Sequence, residues 1–319
     1  RHIMDLYIER GVNFFDTANI YTKGHSEKII GDYIGTNAHR REKAVIATKF
    51  CGNLFTGDPN GGGASRKAIH QQLHHSLRRL QTDYVDLYWM HFEDPFTPIE
   101  ETIHTLDDLV RQGKIRYIGF SDTPAWRCAQ AQTIALFRHL TPLCALQIEY
   151  NLLERTPEGA LIPMAMEMGL GVTPWSPLKG GVLSGKYTRD NQTTVKAGRG
   201  EWVTSHLNER SFKLVDALAS IAKQVNATPS QVAIAWVQSR MGVASPILGG
   251  RTVDQLLDNI KALDVHLYPE HMQTLEELTR PVLHFPYDFL KRVRPVLQGG
   301  CTINGEPCEP WPLAPKKDL

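Results

Sequence analysis

The chain lacks any apolar run near the roughly 20 residues that cross a bilayer, and its first residues are polar and helix-like, unlike a signal peptide. An excess of charge of one sign is also lacking, because 35 Lys and Arg residues nearly balance 34 Asp and Glu residues. No overall field therefore favours nucleic acid or an anionic membrane as a partner. We expect a cytoplasmic protein that binds neither, and its oligomeric state stays open.

Cysteine is scarce, and its spacing is uninformative. The five cysteines are odd in number, scattered and free of any Cys-x-x-Cys pair. This pattern favours reduced thiols over a disulfide framework or a zinc site. The residues are Cys51, Cys128, Cys144, Cys301 and Cys308.

Sequence motifs for phosphates and metals are lacking as well. No Gly-x-Gly-x-x-Gly occurs, so a Rossmann dinucleotide site is unsupported. The run Gly61-Gly62-Gly63 lacks the Gly-Lys-Ser/Thr ending of a phosphate loop. His74 and His75 are adjacent in a predicted helix and do not share a face, which makes them a poor metal pair. We expect no metal site.

What the chain does contain is an alternation of strand-like apolar runs and amphipathic helical stretches, which is typical of βα units around a parallel sheet. Seven strands are predicted, ending near Asp16, Lys49, His91, Ser121, Tyr150, Trp175 and Leu248. An eight-stranded (β/α)8 TIM barrel needs one more. We expect the missing first strand to precede Arg1, because the chain opens inside a predicted helix, residues 4–11, with no strand for it to follow.

No internal repeat or shift in composition marks a second domain, and 42% hydrophobic residues can supply one large core. Residues 1–319 therefore predict a single barrel domain. Two parts of it are irregular. Residues 179–208 form a long polar loop, expected over the site, and residues 281–319 form a tail rich in Pro and Gly.

Four polar residues stand at or just past the carboxyl ends of three predicted strands: Asp16, Tyr21, Lys49 and His91. Taken alone, each is more often structural, as a turn residue, a solvated strand end or a core histidine. In a parallel barrel, however, the carboxyl ends of the strands share one rim. A Tyr, a Lys, a carboxylate and a His that meet there predict a proton-transfer site.

These residues also resemble a known family, the aldo-keto reductases. The stretch Asp16-Thr17-Ala18-x-x-Tyr21, with Gly24, Glu27 and Gly31 downstream, is similar to the first signature of that family. Residues 115–121 and 247–259 resemble two more signatures, and the likeness covers about residues 3 to 265. Residues 146–155 and 175–178 are most similar to the branch of bacterial oxidoreductases and potassium-channel β-subunit-like proteins.

The resemblance implies an NADPH-dependent reductase of aldehydes or ketones. Tyr21 would be the general acid, Lys49 and Asp16 its activating pair, and His91 the group that orients the substrate carbonyl. The chemistry is reasonable in itself, since a neighbouring ammonium favours the phenolate that Tyr becomes on donating its proton. Hydride arriving at a carbonyl carbon puts negative charge on the oxygen, and donors from Tyr21 and His91 would stabilise that charge.

The resemblance implies a set of cofactor contacts too: Asp16, Ser121, Asp122, Gln147, Trp175, Ser176, Pro177, Leu178, Lys186, Gly249, Gly250, Arg251, Gln255 and Asn259. Ser121, Asp122 and Gln147 would hold the carboxamide, and Trp175 would stack on the nicotinamide. Residues 176–178 and Lys186 would line the pyrophosphate, and the remaining residues, from Gly249 onward, would take the adenosine end. Many relatives have Asn in place of Asp122, and a carboxylate cannot donate a hydrogen bond.

Arg251 favours NADPH over NADH. It opens a predicted helix, where its guanidinium and the free backbone N–H groups suit a ribose 2′-phosphate. NADH stays possible.

Two other functions stay open at this point. The first is an NADPH-binding regulatory protein with little turnover, and the second is a metal-dependent hydrolase on the same barrel. The partner of the leading hypothesis is a small-molecule carbonyl substrate, whose identity depends on loops that vary freely on a fixed barrel.

Overall fold

Six parallel strands form the centre of the molecule in the computed structural model, which describes residues 2–191 and 201–313. They are β1 (Phe14–Asp16), β2 (Val45–Phe50), β3 (Val85–Met90), β4 (Ile115–Ser121), β5 (Leu143–Glu149) and β6 (Gly171–Trp175). The strands lie side by side in chain order. Most residues of β2 and β3 are buried, as expected for apolar strands covered on both faces. The six corresponding strand predictions are confirmed.

The strand register brings the carboxyl ends to one rim. Asp16 pairs with Ala47 across β1 and β2, so Lys49 lies two residues further along the rim. Ser121 of β4 pairs with Gln147 of β5. Because side chains alternate along a strand, Gln147 and Glu149 point to the same side of the sheet.

The predicted seventh strand, residues 243–248, is wrong as a continuous strand. Within the described part of the chain it makes one isolated parallel bridge, Val172 with Val243, and its Ala244 and Ile247 N–H groups bond to β6 carbonyls at 2.8 Å each. Proline explains the interruption, since Pro174 and Pro246 supply no N–H to a ladder. The further strand expected before Arg1 stays a prediction.

Thirteen α-helices surround or follow the sheet in the described residues: α1 (His2–Glu9), α2 (His25–Ile30), α3 (Ala38–Lys43), α4 (Arg66–Leu80), α5 (Ile99–Arg111), α6 (Ala125–Phe137), α7 (Leu161–Glu167), α8 (Glu201–Thr204), α9 (Glu209–Gln224), α10 (Pro229–Gln238), α11 (Val253–Ile260), α12 (Pro269–Thr279) and α13 (Tyr287–Gln298). None of the helices described here is long and apolar enough to span a membrane.

Local capping explains several of these helix boundaries. Ser65 caps α4, where its side chain accepts a hydrogen bond from Ala68 N–H. Helix α2 begins at His25 without a side-chain cap. Its N-cap is Gly24 with φ 85°, and the Ser26 hydroxyl accepts a hydrogen bond from the Thr17 hydroxyl at 2.7 Å.

The two irregular regions contain more local structure than the sequence predicts. A 3₁₀ helix, Lys179–Ser184, and the short α8 lie in the long loop, whose residues 192–200 fall outside the described part. In the tail, α13 is followed by a hairpin of β7 (Thr302–Ile303) and β8 (Glu306–Pro307). Residues 314–319 also fall outside the described part.

A buried ion pair joins α2 to α4 behind the rim. The Glu27 side chain is fully buried, accepts a hydrogen bond from the Thr48 hydroxyl at 2.6 Å, and pairs with Arg79 at 2.6 Å. Beside it, the chain continues from α2 into a π-helix, Gly31–Gly35, that packs directly on the end of α4. A side chain at Gly31 would stand 2.2 Å from the Arg79 carbonyl oxygen. The segment that carries Tyr21 is thereby fixed from behind.

Replacing Gly31 with Ala should therefore destabilise the protein. We expect a loss of about 2 kcal/mol in the free energy of unfolding, since overpacking against backbone atoms costs roughly 1–3 kcal/mol. Urea unfolding followed by circular dichroism measures the effect. Gly249→Ala is the control, because an added methyl group there meets nothing within 4 Å. Equal unfolding midpoints for the two variants would contradict this packing argument.

Candidate active site

The centre of the site is the Lys49 ammonium group, which is fully buried at the end of β2. It bonds to Asp16 Oδ2 at 2.5 Å, to the Thr17 carbonyl oxygen at 2.9 Å and to the Tyr21 hydroxyl oxygen at 3.2 Å. An ammonium has three N–H donors, so these three acceptors use all of them. A charge taken out of water needs such complete pairing to be tolerated.

Asp16 connects this ammonium to the far side of the rim. Its Oδ2 atom faces Lys49, while its Oδ1 atom accepts a hydrogen bond from Gln147 Nε2 at 3.0 Å. Only 7% of the Asp16 side chain is exposed, which keeps the ion pair away from solvent. The structure therefore brings together Asp16, Lys49 and Gln147 from three different strands.

Tyr21 lies at the open side of the cluster. Tyr21 is 39% exposed, so its ring borders the solvent while its hydroxyl reaches Lys49. The next two residues, Thr22 and Lys23, have left-handed backbone with φ 47° and 56°, which turns the chain sharply into α2. Because the hydroxyl oxygen accepts from Lys49, the phenolic proton is left to be donated elsewhere.

His91 follows β3 and lies against both neighbouring rings. The Tyr21 ring meets it edge-on, with centroids 5.6 Å apart, and the Phe92 ring stacks on it at 4.8 Å. Burial, followed by the nearby Lys49 ammonium, lowers the pKa of His91 from 6.5 to about 3. The imidazole is therefore neutral at physiological pH and offers one donor and one acceptor nitrogen. Its Nδ1 atom is buried without a hydrogen-bond partner among the described residues.

The ends of β4 and β6 lie beside this cluster. The Ser121 hydroxyl is buried and has no hydrogen-bond partner in the described part of the structure. Next to it, Asp122 Oδ1 accepts a hydrogen bond from Trp175 Nε1 at 3.0 Å. Desolvation raises the pKa of the Asp122 carboxyl, although the Trp175 hydrogen bond opposes that effect. An unsatisfied buried hydroxyl at this place fits a polar ligand group such as a carboxamide.

The turn after β6 contains the residues expected at the pyrophosphate. Ser176 and Lys179 are left-handed, with φ 54° and 47°, and so are Gly180 and Gly181. The Ser176 hydroxyl accepts a hydrogen bond from Gly180 N–H at 3.2 Å. The Lys186 ammonium folds over this turn, so closely that a side chain at Gly181 would lie 2.7 Å from its nitrogen.

Pro177 and Leu178 play a different part in this turn. Pro177 is buried, and Leu178 packs against the main hydrophobic core. They shape the turn more than they present groups to a ligand.

The residues expected at the adenosine end form a second group, at the N-terminus of α11. Arg251 N–H donates to Gln255 Oε1 at 3.0 Å, and Asn259 Nδ2 donates to the Gly249 carbonyl at 3.4 Å. Arg251 is exposed and precedes Thr252, which caps the helix. Both this helix and the 3₁₀ turn Lys179–Ser184 pack on α10, which connects the two groups.

One ion pair at the rim was not predicted. Lys179 Nζ contacts Glu149 Oε1 at 2.7 Å, and both side chains are largely buried. A signal was present, since Glu149 follows Gln147 at the spacing of one sheet face. Among the described residues, no group of three or more His, Cys, Asp or Glu side chains could hold a metal ion. The sequence likewise predicts no metal ligands.

Comparison with known proteins decides the family. Residues 1–280 match the model of the Aldo/keto reductase family. The chain belongs to this family. Its fold is the TIM barrel, with which the parallel order of the six strands agrees. The resemblance stated from the motifs is thereby confirmed.

Individual relatives carry related names. The chain is 39% identical to "Uncharacterized oxidoreductase YrpG" of Bacillus subtilis, over 86% of this chain and 85% of that protein. It is 34% identical to "Aryl-alcohol dehydrogenase [NADP(+)]" of Phanerodontia chrysosporium, over 89% and 77%. A "Putative voltage-gated potassium channel subunit beta" of Schizosaccharomyces pombe is 36% identical, over 84% and 80%. The family and these relatives make the protein an NAD(P)H-dependent oxidoreductase.

The low pKa of His91 predicts a specific dependence of stability on pH. Below pH 6.5 the unfolded chain protonates His91, whereas the folded protein leaves it neutral down to about pH 3. Stability from this group is therefore lost as the pH falls through that window. Between pH 7 and pH 5 the loss is about 2 kcal/mol at 1.36 kcal/mol for each pKa unit.

The variant His91→Gln should accordingly lose about 2 kcal/mol less than the wild type between pH 7 and pH 5. Urea unfolding at the two pH values measures this difference. His284→Gln, at an exposed position, is the control and should keep the wild-type dependence. A His91→Gln protein with the wild-type dependence would show that His91 is not held neutral.

Proposed function

We propose that the protein reduces an aldehyde or ketone to an alcohol with NADPH, and that Tyr21 is the general acid. The observation that carries the proposal is the Lys49 ammonium, which donates at once to Asp16 and to the Tyr21 hydroxyl oxygen. That arrangement directs the Tyr21 proton away from Lys49 and toward the open rim. It also places a positive charge where a phenolate would form.

The proposed proton transfer starts with the substrate carbonyl oxygen against Tyr21. Bound nicotinamide would supply the hydride to the carbonyl carbon. As negative charge grows on the oxygen, Tyr21 donates its proton, and Lys49 stabilises the phenolate that remains. Asp16 keeps Lys49 charged and in place, because it provides the opposing charge within a site that is mostly buried.

His91 would act as a neutral hydrogen-bond donor to the same oxygen. The neighbouring rings of Tyr21 and Phe92 contact the imidazole and fix its plane. Since the group is neutral at physiological pH, it orients and polarises the carbonyl without placing a second cation beside Lys49. Orientation of this kind lowers the barrier by reducing the entropy cost in the transition state.

The residues that would hold the cofactor lie along the same rim. The unsatisfied Ser121 hydroxyl and the Gln147 amide suit the carboxamide, and the Trp175 ring suits stacking. Lys186 and the turn after β6 supply positive charge and backbone N–H groups for phosphates. The exposed Arg251, at the start of α11, suits a ribose 2′-phosphate, which is the reason to prefer NADPH over NADH.

We further propose an aromatic aldehyde as the substrate class. Several relatives that are 33–36% identical to this chain carry the name aryl-alcohol dehydrogenase. In this chain Phe92 is 40% exposed and stacks on His91, so an aromatic surface adjoins the proposed carbonyl site. Turnover of a panel of aromatic and aliphatic aldehydes, followed by NADPH absorbance, compares the classes.

A second candidate function is an NADPH-binding regulator with little turnover. Relatives named as potassium channel β subunits favour it, and the same panel of aldehydes tests it. Quenching of protein fluorescence by NADPH without any NADPH oxidation would support the regulator. Oxidation of NADPH by any aldehyde in the panel, lost on mutation of the site, would support the reductase.

Tyr21→Phe should reduce carbonyl turnover at least about 10²-fold while leaving NADPH binding unchanged, because it removes the proton and keeps the ring. Steady-state kinetics and fluorescence titration measure the two effects. Tyr117→Phe is the matched control at an exposed position on β4. Unchanged turnover in Tyr21→Phe would exclude Tyr21 as the acid.

Arg251→Gln should weaken NADPH binding about 10-fold or more and change NADH binding little, because only NADPH carries the 2′-phosphate. Titration calorimetry with each cofactor measures the two constants. Arg116→Gln is the control, since Arg116 lies near the amino end of β4, away from the rim. An equal loss for both cofactors would show that Arg251 does not read the phosphate.

A further inference from the structure

We propose that the negative charge of Asp122 raises the affinity of the site for the oxidised, cationic nicotinamide relative to its affinity for the reduced, uncharged form. Asp122 is thus a residue that discriminates between the two redox forms of the cofactor. The inference rests on the proposed function, because it assumes that nicotinamide binds at this rim.

The backbone holds Asp122 at a fixed place on the rim. Asp122 is left-handed, with φ 42°, a conformation that Asp and Asn tolerate better than other residues with side chains. Its N–H donates to the Gln147 carbonyl at 3.1 Å. The residue directly after β4 is therefore tied to the neighbouring strand β5.

The side chain of Asp122 reaches across the rim to the end of β6. There its Oδ1 atom accepts the Trp175 indole N–H at 3.0 Å. An indole has no other polar hydrogen, so this bond sets the position of the carboxylate at the edge of the Trp175 ring. A nicotinamide stacked on Trp175 would have this carboxylate beside it.

The charges on the rim leave Asp122 uncompensated. Lys49 pairs with Asp16, and Lys179 pairs with Glu149. Within the described residues Asp122 makes no ion pair, and its polar contact to Trp175 carries no formal charge. The five charged groups at these strand ends, which are two ion pairs and one additional carboxylate, carry a net charge of −1.

The negative charge of Asp122 would interact differently with the cationic, oxidised nicotinamide ring and with the uncharged, reduced ring. Two unit charges about 6 Å apart interact strongly enough to change an equilibrium constant roughly 3-fold in a water-like medium, and more in a partly buried site. The cofactor phosphates have the same charge in both forms, so their repulsion from Asp122 cancels in the ratio of the two dissociation constants. Only the positive charge on the ring contributes to that ratio.

The consequence is an effect on both hydride transfer and product release. A bound nicotinamide that donated its hydride would become positively charged, and the carbonyl would gain that hydride and the Tyr21 proton to become an alcohol. Asp122 would stabilise that positive charge, which favours donation of the hydride. For the same reason Asp122 would slow the release of the oxidised cofactor.

Asp122→Asn isolates this charge. Asparagine has the same shape, tolerates the left-handed backbone, and keeps an oxygen that accepts the Trp175 N–H. We expect the ratio of the dissociation constants, NADP⁺ over NADPH, to rise about 3-fold or more in the variant. Fluorescence titration or calorimetry with each form at pH 8, where an ordinary carboxyl is ionised, gives the ratio.

Two further variants complete the experiment. Asp264→Asn removes an exposed carboxylate elsewhere and should leave the ratio at its wild-type value. Asp122→Ser is a second neutral variant, useful if Asp122→Asn does not fold, and should shift the ratio in the same direction. Thermal unfolding checks that each variant is folded.

The outcomes separate this inference from the proposed function. If the wild type binds both forms and neutral variants at Asp122 leave the ratio unchanged, the role of Asp122 is wrong and the reductase proposal stands. If the wild type binds neither form, the proposed cofactor site is wrong and the inference fails with it.

Discussion

A buried ammonium group is the constraint on which the rest of the site depends. Lys49 has no contact with water, so every one of its three N–H groups must find an acceptor within the protein. The acceptors come from Asp16, Thr17 and Tyr21. Their bonds to Lys49 fix β1 and the turn after it relative to β2. In the proposed reaction, the same contacts that compensate the buried charge also prepare the Tyr21 hydroxyl for proton transfer.

Packing behind the rim supports that arrangement. Tyr21 lies on a turn with two left-handed residues, and nothing in such a turn is rigid by itself. Its position is set by the helix that follows, where buried Glu27 pairs with Arg79 and Gly31 lets the backbone of α4 approach closely. Gly31 and Glu27 are therefore structural residues that keep Tyr21 in place.

Two ion pairs lie at the strand ends of the rim, and Asp122 belongs to neither. The ion pairs Lys49 with Asp16 and Lys179 with Glu149 each compensate a cation with a carboxylate. Asp122 bonds instead to a neutral indole. A single unpaired charge close to the proposed hydride donor has more influence on the cofactor than several paired ones, because the fields of paired charges largely cancel at a distance.

The sequence alone determined the six parallel strands, the reduced cysteines and the strand-end residues Asp16, Tyr21, Lys49 and His91, since burial on both faces and strand-end polarity are local patterns. It overestimated residues 243–248 as a strand, because Pro174 and Pro246 break the ladder only when the two segments lie side by side. Only the tertiary structure decided that Asp122 contacts Trp175 and that Lys179 pairs with Glu149. Those partners are 53 and 30 residues apart in the chain, and their contact depends on strand register and turn geometry, which local patterns do not encode.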